Sequence, residues 1–441
     1  MRKAAEDAGR DQALTPDAFE DAMAPFQIAP GARVAVAVSG GADSMALTLL
    51  LSQWCEANDV SLFALTVDHN LRAAAANEVR QVSAWLSAKG VSHTVLKWEE
   101  GRALRAEASS PQNAAREARY ALMLEWCAEH NCSHLFVAHH ADDQIETFWM
   151  RLSRGSGIDG LAAMSASSRR GGVTIARPLL DFPKSDLIGL CEQERQPWVD
   201  DPSNSDENST RVRFRNTQRL LEREGFTRPR LLSTVRHMRR AKEALDQQVV
   251  AFLDASFTLD AYGVGRLSMD ALADASQEIG LRALSRILSR IGSSVYGPRF
   301  EKLETLYGRI VGGPWQGATL HGCVLARDGS DLVIMRERAH IEGAKAVSNA
   351  ARVIWDGRFR LTVGARDLKF DVKGLVVEGL SPDDWRVITE SKALQERPNL
   401  SPAIRETLPV IKDERGLLAA PHFEYVRKDI NSELIVHLEH L

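Results

Sequence analysis

One segment of the sequence has the residue types of a phosphate-binding loop: Ser39, Gly40, Gly41, Ala42, Asp43 and Ser44. It follows a short apolar run and opens a helical pattern, so the free N–H groups and the dipole of the helix start would favour an anion. The glycines allow close backbone approach, the serines add hydroxyl donors, and Asp43 can hold a cation that bridges phosphates. A glycine turn without a ligand is the alternative, which this setting disfavours.

The loop lacks the Gly-Lys-Ser/Thr ending of a Walker A loop, and the predicted helix after it contains no lysine before Asn58. Without that lysine, chemistry at the γ-phosphate of a nucleotide is disfavoured. A loop that binds pyrophosphate leaves the α-phosphate exposed to attack, which suggests transfer of AMP.

A second polar cluster contains His139, His140, Asp142, Asp143 and Glu146. His140, Asp143 and Glu146 are spaced three apart and would share one helix face, which could bind Mg²⁺ or act on a proton. Zinc is a weaker interpretation because no third soft ligand is evident. The alternative is helix capping by an aspartate, but capping needs only one carboxylate.

Two further pairs of polar residues could serve the same site. Asp68 and His69 follow a strand pattern, where a loop turn without a role is the alternative to a position near a nucleotide. Arg116 and Arg119 lie three apart on a predicted helix, where they would either bind phosphates or pair with carboxylates such as Glu117.

The elements that must position these residues alternate between strand and helix. The strand patterns are Arg33–Val38, Ser61–Val67, Val91–Trp98, His134–His139 and Gly172–Ala176. The helical patterns are Asp43–Asn58, Asn77–Lys89, Asn113–His130 and Ala141–Leu152. This alternation predicts an α/β fold with a doubly wound parallel sheet and helices on both faces. Ligands of such sheets bind at the carboxyl ends of the strands, where the polar residues above lie.

A basic segment follows the turn-rich stretch Asp200–Ser209. Thr210–Leu245 has a helical pattern, and residues 209–244 contain eleven Arg and Lys against three Glu in a chain of net charge −4. This excess is too large for pairing within a helix, so phosphate binding is favoured over a merely solvated face.

Beyond the basic segment, helical patterns continue to about Ile310, and Ala318–Ala326 with Asp331–Met335 predicts a hairpin through Asp328-Gly329. Glu337–Asn349 has the composition of a linker. We therefore predict an N-terminal extension (1–30), a catalytic domain (31–216), a mainly helical domain (217–337) and a small α+β domain (350–441).

Composition excludes several classes of protein. With 441 residues, 44% hydrophobic and 26% charged, the chain is neither disordered nor fibrous. Its five cysteines form no C-x-x-C pair, so neither a zinc knuckle nor a redox dithiol is indicated. No apolar run is long enough for a bilayer or a signal peptide, and we predict a cytoplasmic protein with no membrane partner.

The loop resembles the PP-loop of the N-type ATP pyrophosphatases, and further motifs resemble the tRNA(Ile)-lysidine synthetase family. These motifs stand in the family order: Val67–Arg72 (VDHNLR), Asn113–Tyr120 (NAAREARY), Ala138–Thr147 (AHHADDQIET), Arg154–Leu161 (RGSGIDGL), Arg177–Leu180 (RPLL) and Trp198–Asn204 (WVDDPSN). The resemblance covers about Val34–Asn216. It departs from the family at Val212, where an asparagine is usual.

The resemblance implies a reaction with ATP, Mg²⁺, free L-lysine and a tRNA(Ile) whose anticodon is CAU. The oxygen on carbon 2 of the wobble cytidine would attack the α-phosphate, and the lysine amine would then displace AMP to give lysidine. The family motifs imply catalytic roles for Asp43, His140, Asp143 and Arg211, with Mg²⁺ at Asp43 and Asp143. They also imply nucleotide contacts at Ser39–Ser44, Asp68 and His69, and substrate contacts at Arg116, Arg119, Glu146, Arg213 and Arg215. Both a monomer and a homodimer stay open.

Three alternatives stand beside this interpretation. A sulfur-delivering PP-loop enzyme would need paired cysteines or an iron–sulfur cluster, and an amidotransferase would need a glutaminase domain; the sequence suggests neither. A nucleotide-binding regulator without catalysis would need neither the basic segment nor the cluster around His140.

Overall fold

The protein is described here by a computed structural model, in which two compact units are separated between Glu243 and Ala244. The ranges that the structure describes are 14–68, 75–98, 111–199, 221–294, 296–347, 352–365, 374–391, 400–428 and 434–440. The predicted domain limits at residues 216/217 and 337/350 stay predictions.

A six-stranded sheet forms the centre of the first unit. Its strands are β1 (Arg33–Ala37), β2 (Ser61–Asp68), β3 (Ser92–Lys97), β4 (His134–Phe136), β5 (Ser167–Arg170) and β6 (Val173–Ala176). Their order is β3-β2-β1-β4-β6-β5, and every neighbouring pair is parallel except β5 with β6. The predicted parallel sheet is confirmed, although β4 ends three residues earlier than expected and β5 was not predicted.

Helices cover both faces of this sheet. They are α1 (Pro16–Met23), α2 (Ala42–Ala57), α3 (Ala75–Ala88), α4 (Pro111–Glu129), α5 (Ala141–Leu152), α6 (Ile158–Leu161) and α7 (Lys184–Gln193). Alternate residues of β1 enter different cores: Val34 and Val36 pack with α2, whereas Ala35 packs with α4. Helices therefore pack on both faces of the sheet, which confirms the doubly wound arrangement. Because both faces are buried, successive residues of the strand are apolar.

The basic segment is not one continuous helix from Thr210 to Leu245. Residues 210–220 lie outside the described ranges, and the chain turns at Gly225, whose φ is +90°. The next helix, α8 (Arg228–Ser256), begins only there. Glycine in the left-handed conformation ends helices, and Pro229 is tolerated only in a first helical turn, so the prediction missed this boundary.

In its described residues, the second unit contains three antiparallel sheets. Its strands are β7 (Phe257–Leu259), β8 (Gly265–Ser268), β9 (Gly317–Leu320), β10 (Cys323–Asp328), β11 (Asp331–Arg336), β12 (Lys345–Ala346), β13 (Arg352–Trp355), β14 (Phe359–Ala365), β15 (Val376–Gly379), β16 (Pro409–Asp413), β17 (Gly416–Ala420), β18 (Tyr425–Val426) and β19 (Leu434–His440). The sheet orders are β7-β8-β11-β10-β9, β12-β15-β16-β17-β18 and β13-β14-β19.

Helices complete the second unit: α9 (Met269–Asp274), α10 (Gln277–Ile291), α11 (Phe300–Val311), α12 (Pro382–Glu390) and α13 (Pro402–Arg405). The hairpin of β10 and β11 is confirmed. Helices continue to Val311, close to the predicted Ile310, but the strands β7 and β8 between them were not predicted. The strand predicted at Ala318–Ala326 is two strands, β9 and β10, separated by a turn at Gly322, whose φ is +70°. The predicted linker includes β12, which pairs with β15.

Among the described residues, none of the helices combines the length and apolarity that crossing a bilayer requires.

Candidate active site

The phosphate loop forms the connection between β1 and α2 and is closed by its own hydrogen bonds. Ser44 Oγ accepts from Ser39 N at 3.2 Å and donates to Gly41 O at 3.0 Å. Gly40 has a φ of +88°, and a Cβ at this position would lie 2.8 Å from Val82 Cγ2 of α3. Only glycine combines this conformation with such close packing. The loop is therefore preformed at the N-terminus of a 16-residue helix.

A buried histidine and three carboxylates lie beside the loop. His140, at the N-cap of α5, is 2% exposed. Its Nε2 lies 3.6 Å from Asp43 Oδ2 and 3.5 Å from Asp143 Oδ2, and its Nδ1 lies 3.6 Å from Asp142 Oδ2. Burial disfavours the imidazolium, but the three carboxylates outweigh burial and raise the pKa of His140 above its usual value.

The two aspartates of α5 act both as caps and as charges. Asp143, the third residue of α5, accepts at Oδ2 from the backbone N of the N-cap residue His140 at 3.0 Å, as in a capping box. Asp142 Oδ2 accepts from Lys184 N at 2.8 Å and so holds the start of α7. Capping and the ionic cluster are thus not alternatives, because the same carboxylates do both.

Two cations that the sequence did not predict complete this cluster. Lys184 Nζ donates to Asp43 Oδ2 at 3.2 Å, and Arg228 Nη2 donates to Asp142 Oδ1 at 2.9 Å. Burial works against ionisation of Asp43, but His140 and then Lys184 outweigh it and lower the pKa of this carboxyl. Lys184 places an ammonium next to the loop, a charge that a Walker A loop would carry in its own sequence.

A separate positive cluster is formed by three arginines, Arg116, Arg119 and Arg177. Burial lowers the pKa of both Arg119 and Arg177; Arg116 lowers each further, and Tyr120 opposes the shift. Arg177 Nε is buried with no hydrogen-bond acceptor among the described residues. Glu117 pairs with Arg170 at 2.6 Å. These features fit the binding of an anion.

The other predicted residues are placed only in part. Asp68 ends β2 at the same edge of the sheet as the loop, and Glu146 is buried on α5 at 5% exposure. His69, Arg211, Arg213 and Arg215 lie outside the described residues.

The carboxylates fit a magnesium ion that is completed by a substrate. Asp43 Oδ1 is buried and has no hydrogen-bond partner among the described residues. No cluster of three metal-ligating side chains occurs within the described ranges. Mg²⁺ commonly binds through one or two carboxylates together with substrate phosphates and water, so this donor set suffices.

The sheet order and the loop define a nucleotide-binding domain of the PP-loop class, and the family model of the PP-loop domain matches residues 16–222. The chain is 33% identical to the tRNA(Ile)-lysidine synthase of Wolbachia pipientis wMel over 414 residues, 91% of each chain. It is 35% identical to that of Anaplasma marginale (strain St. Maries) over 333 residues, 75% of this chain and 71% of the relative. The chain belongs to the tRNA(Ile)-lysidine synthase family, as its motifs predicted.

Among solved structures, the chain is similar to the U34-tRNA thiolase NcsA from Methanococcus maripaludis with its [4Fe-4S] cluster. The sequences are 18% identical, the match covers 52% of this chain and 78% of that one, and the TM-score is 0.45.

Proposed function

We propose that this protein is an ATP-dependent ligase that joins free L-lysine to the wobble cytidine of a tRNA(Ile) with a CAU anticodon. Lysidine would be the product, which changes the codon read from AUG to AUA and the amino-acid identity of the tRNA. Family membership supports the overall reaction. The observation that carries the proposal is the convergence of the preformed loop with Asp43, His140 and Lys184.

The chemistry needs two transfers. The oxygen on carbon 2 of cytidine attacks the α-phosphate of ATP, pyrophosphate leaves, and the adenylated cytidine then loses AMP to the lysine amine. Adenylation is required because an unactivated carbonyl oxygen is a poor leaving group. The loop N–H groups and the Lys184 ammonium would stabilise negative charge on the departing pyrophosphate, since donors fixed in advance need no rearrangement.

The raised pKa of His140 bears on its role. The sequence predicts His140 or a carboxylate near Asp143 as the base that takes a proton from the lysine amine. A raised pKa favours the protonated ring and hence a charge role for His140, and the base for the lysine amine is either His140 or a carboxylate near Asp143. His140 would also orient Asp43, whose Oδ2 lies 3.6 Å from its Nε2.

Asp43 and Asp143 would hold Mg²⁺, which when bound supplies positive charge next to the phosphates. Arg116, Arg119 and Arg177 offer a second positive surface for an anion. The basic segment with Arg211, Arg213 and Arg215 would contact the tRNA backbone, because clustered cations bind phosphates by releasing counterions.

Incorporation of labelled lysine tests the whole reaction. With ATP, Mg²⁺ and a tRNA(Ile) transcript, we expect acid-precipitable lysine, together with AMP and pyrophosphate from α-labelled ATP on thin-layer plates. ADP as the main nucleotide product would refute the proposed cleavage position. AMP release that does not depend on tRNA and lysine would favour a different enzyme, and binding of ATP without any AMP release would favour a nucleotide-binding regulator.

A further inference from the structure

A chain of hydrogen bonds in the first unit reaches the phosphate loop from α3. Ser83 Oγ of α3 lies 3.0 Å from His93 Nδ1 of β3, and His93 Nε2 lies 2.8 Å from Thr66 Oγ1 of β2. The Thr66 hydroxyl donates to Val38 O at 2.9 Å. Val38 directly precedes Ser39, so this chain ends at the entrance of the loop.

The hydrogen bonds from His93 through Thr66 to Val38 have a defined direction. Thr66 has a single hydroxyl hydrogen, which it gives to Val38 O, so its oxygen must accept from His93 Nε2–H. His93 Nδ1 can then accept from Ser83 if the ring is neutral, and burial lowers the pKa of His93. The Ser83 hydroxyl also donates to Val79 O at 2.9 Å, so its single hydrogen is divided between Val79 O and His93 Nδ1.

The acceptor of this chain belongs to a peptide unit that builds the loop. Val38 O and Ser39 N are parts of one planar peptide, so fixing the oxygen also fixes the direction of the N–H. Ser39 N donates to Ser44 Oγ at 3.2 Å, one of the three hydrogen bonds that the Ser44 hydroxyl makes within the loop. Rotation of this peptide would therefore break the backbone hydrogen bond that Ser39 contributes to the closed loop.

The same helix touches the loop at a second point. Val82, next to Ser83 on α3, packs so closely on Gly40 that a Cβ there would lie 2.8 Å from its Cγ2. Helix α3 thus holds Gly40 by packing and the Val38–Ser39 peptide by hydrogen bonds through two strands.

We infer that Thr66 and His93 are positioning residues that, together with Val82, keep the loop Ser39–Ser44 in the form that binds ATP. Neither side chain touches the nucleotide in this scheme; both act through Val38. The inference rests on the proposed function, because it concerns the same nucleotide site.

Thr66→Val in the full-length protein tests the inference, since it keeps the side-chain shape and removes the donor to Val38 O. We expect the Kd and KM for ATP to rise about tenfold, equivalent to about 1.4 kcal/mol, as for a buried acceptor left without its donor. The kcat at saturating ATP and the KM for lysine should stay within about twofold. Thr66→Ser should restore ATP binding, and His93→Leu should reproduce the defect.

Thr407→Val is the matched control. Thr407 is also buried, at 2% exposed, and its hydroxyl donates to Ile404 O at 2.9 Å in the second unit. It should cost similar stability without changing ATP binding. If Thr66→Val bound ATP like Thr407→Val, or if Thr66→Ser were as defective as Thr66→Val, the positioning role would be wrong. Equilibrium binding of ATP is measured without tRNA, so the comparison of Thr66→Val with Thr407→Val does not depend on the lysine reaction. A wild-type protein that binds ATP but incorporates no lysine would contradict the proposed function alone.

Discussion

The side chains that meet at the loop come from distant parts of the chain, and the sequence predicted only some of them. Asp43 and the His140–Asp143 cluster were predicted because each follows a strand, and parallel strands end at one edge of a sheet. Lys184 and Arg228 were missed: they pair with carboxylates 141 and 86 residues away, and no spacing rule in a single sequence links such positions. The raised pKa of His140 was missed for the same reason, since it depends on three carboxylates around a buried ring.

Replacing Asp43 by Asn should abolish adenylation and leave the fold intact. The variant removes the carboxylate that faces His140 and Lys184, and with it the predicted magnesium ligand. We expect pyrophosphate release to fall by at least about a hundredfold, because a fixed charge at the phosphates is lost. Glu56→Gln, an exposed residue of the same helix, is the control for the loss of one negative charge. Near-normal turnover of the Asp43 variant would remove the metal role.

Lys184→Met should weaken ATP binding while sparing the affinity for tRNA. The side chain of Lys184 is 40% exposed, its ammonium pairs with Asp43, and a bound triphosphate would be a further partner. We expect the KM for ATP to rise roughly tenfold, as for the loss of one charge-assisted hydrogen bond. Lys89→Met is a control of nearly equal exposure, 41%, in a weak pair with Glu194. Equal effects of both variants would show that only the net charge matters.

At the scale of helices and strands, the sequence predicted the elements that have a strong hydrophobic period and missed the short polar strands. The predicted limits of α2 and α5 agree with the structure to within a residue, since both helices are bounded by a loop motif or a capping aspartate. Strand β5 has the sequence SSRR and is exposed at every position, so it carries no apolar signal and exists only through pairing with β6. Strands β7 and β8 are three and four residues long, too short to show a period of two.

The basic segment should bind the tRNA backbone through its arginines. Arg213→Glu combined with Arg215→Glu should weaken tRNA binding and reduce its salt dependence by roughly 0.7–0.9 in log–log slope for each lost phosphate contact. Binding of ATP should hardly change. The same double charge reversal at Lys89 and Arg195, both exposed in the first unit, controls for net charge. An unchanged salt slope would assign the segment to solubility or to pairing within the protein.

At the scale of the whole molecule, the structure separates two units, and a buried ionic network connects parts of the second that the sequence assigned to different domains. Asp356 accepts from Arg336 at 2.8 and 3.0 Å and from Arg358 at 2.7 Å, with all three residues at most 7% exposed. Arg336 also donates to Gly292 O, and Arg358 to Thr407 O, both at 2.6 Å. No sequence pattern predicts such a network, because a sequence alone does not distinguish its buried charged residues from ordinary surface charges.

Asp356→Asn should destabilise the second unit by about 3–5 kcal/mol, since it leaves two buried guanidinium groups without their carboxylate. Asparagine tolerates the left-handed conformation of this residue, so the backbone is not strained. Urea unfolding of the full-length protein measures this loss of unfolding free energy. The control is Asp413→Asn, because Asp413 forms a more exposed pair with Arg427. It should cost about 1 kcal/mol or less. A chain cut after Glu337 would lose Asp356 altogether, so tRNA selection is better tested by changing the tRNA.

The identity of the wobble base should decide whether lysine is accepted. Cytidine and uridine differ at carbon 4 and in the protonation of nitrogen 3, so a pocket built for cytosine would leave polar groups unpaired against uracil. We expect an isoleucine tRNA transcript with a wobble cytidine to accept lysine, and the same transcript with uridine to react at least about a thousandfold more slowly.

The methionine elongator tRNA shares the anticodon and should also be rejected, through bases read by residues from about Gly225 onward. Competition binding of the three transcripts separates affinity from reactivity. Comparable lysine incorporation into the uridine transcript would contradict recognition of cytosine, and efficient modification of the methionine tRNA would contradict selection by the downstream residues.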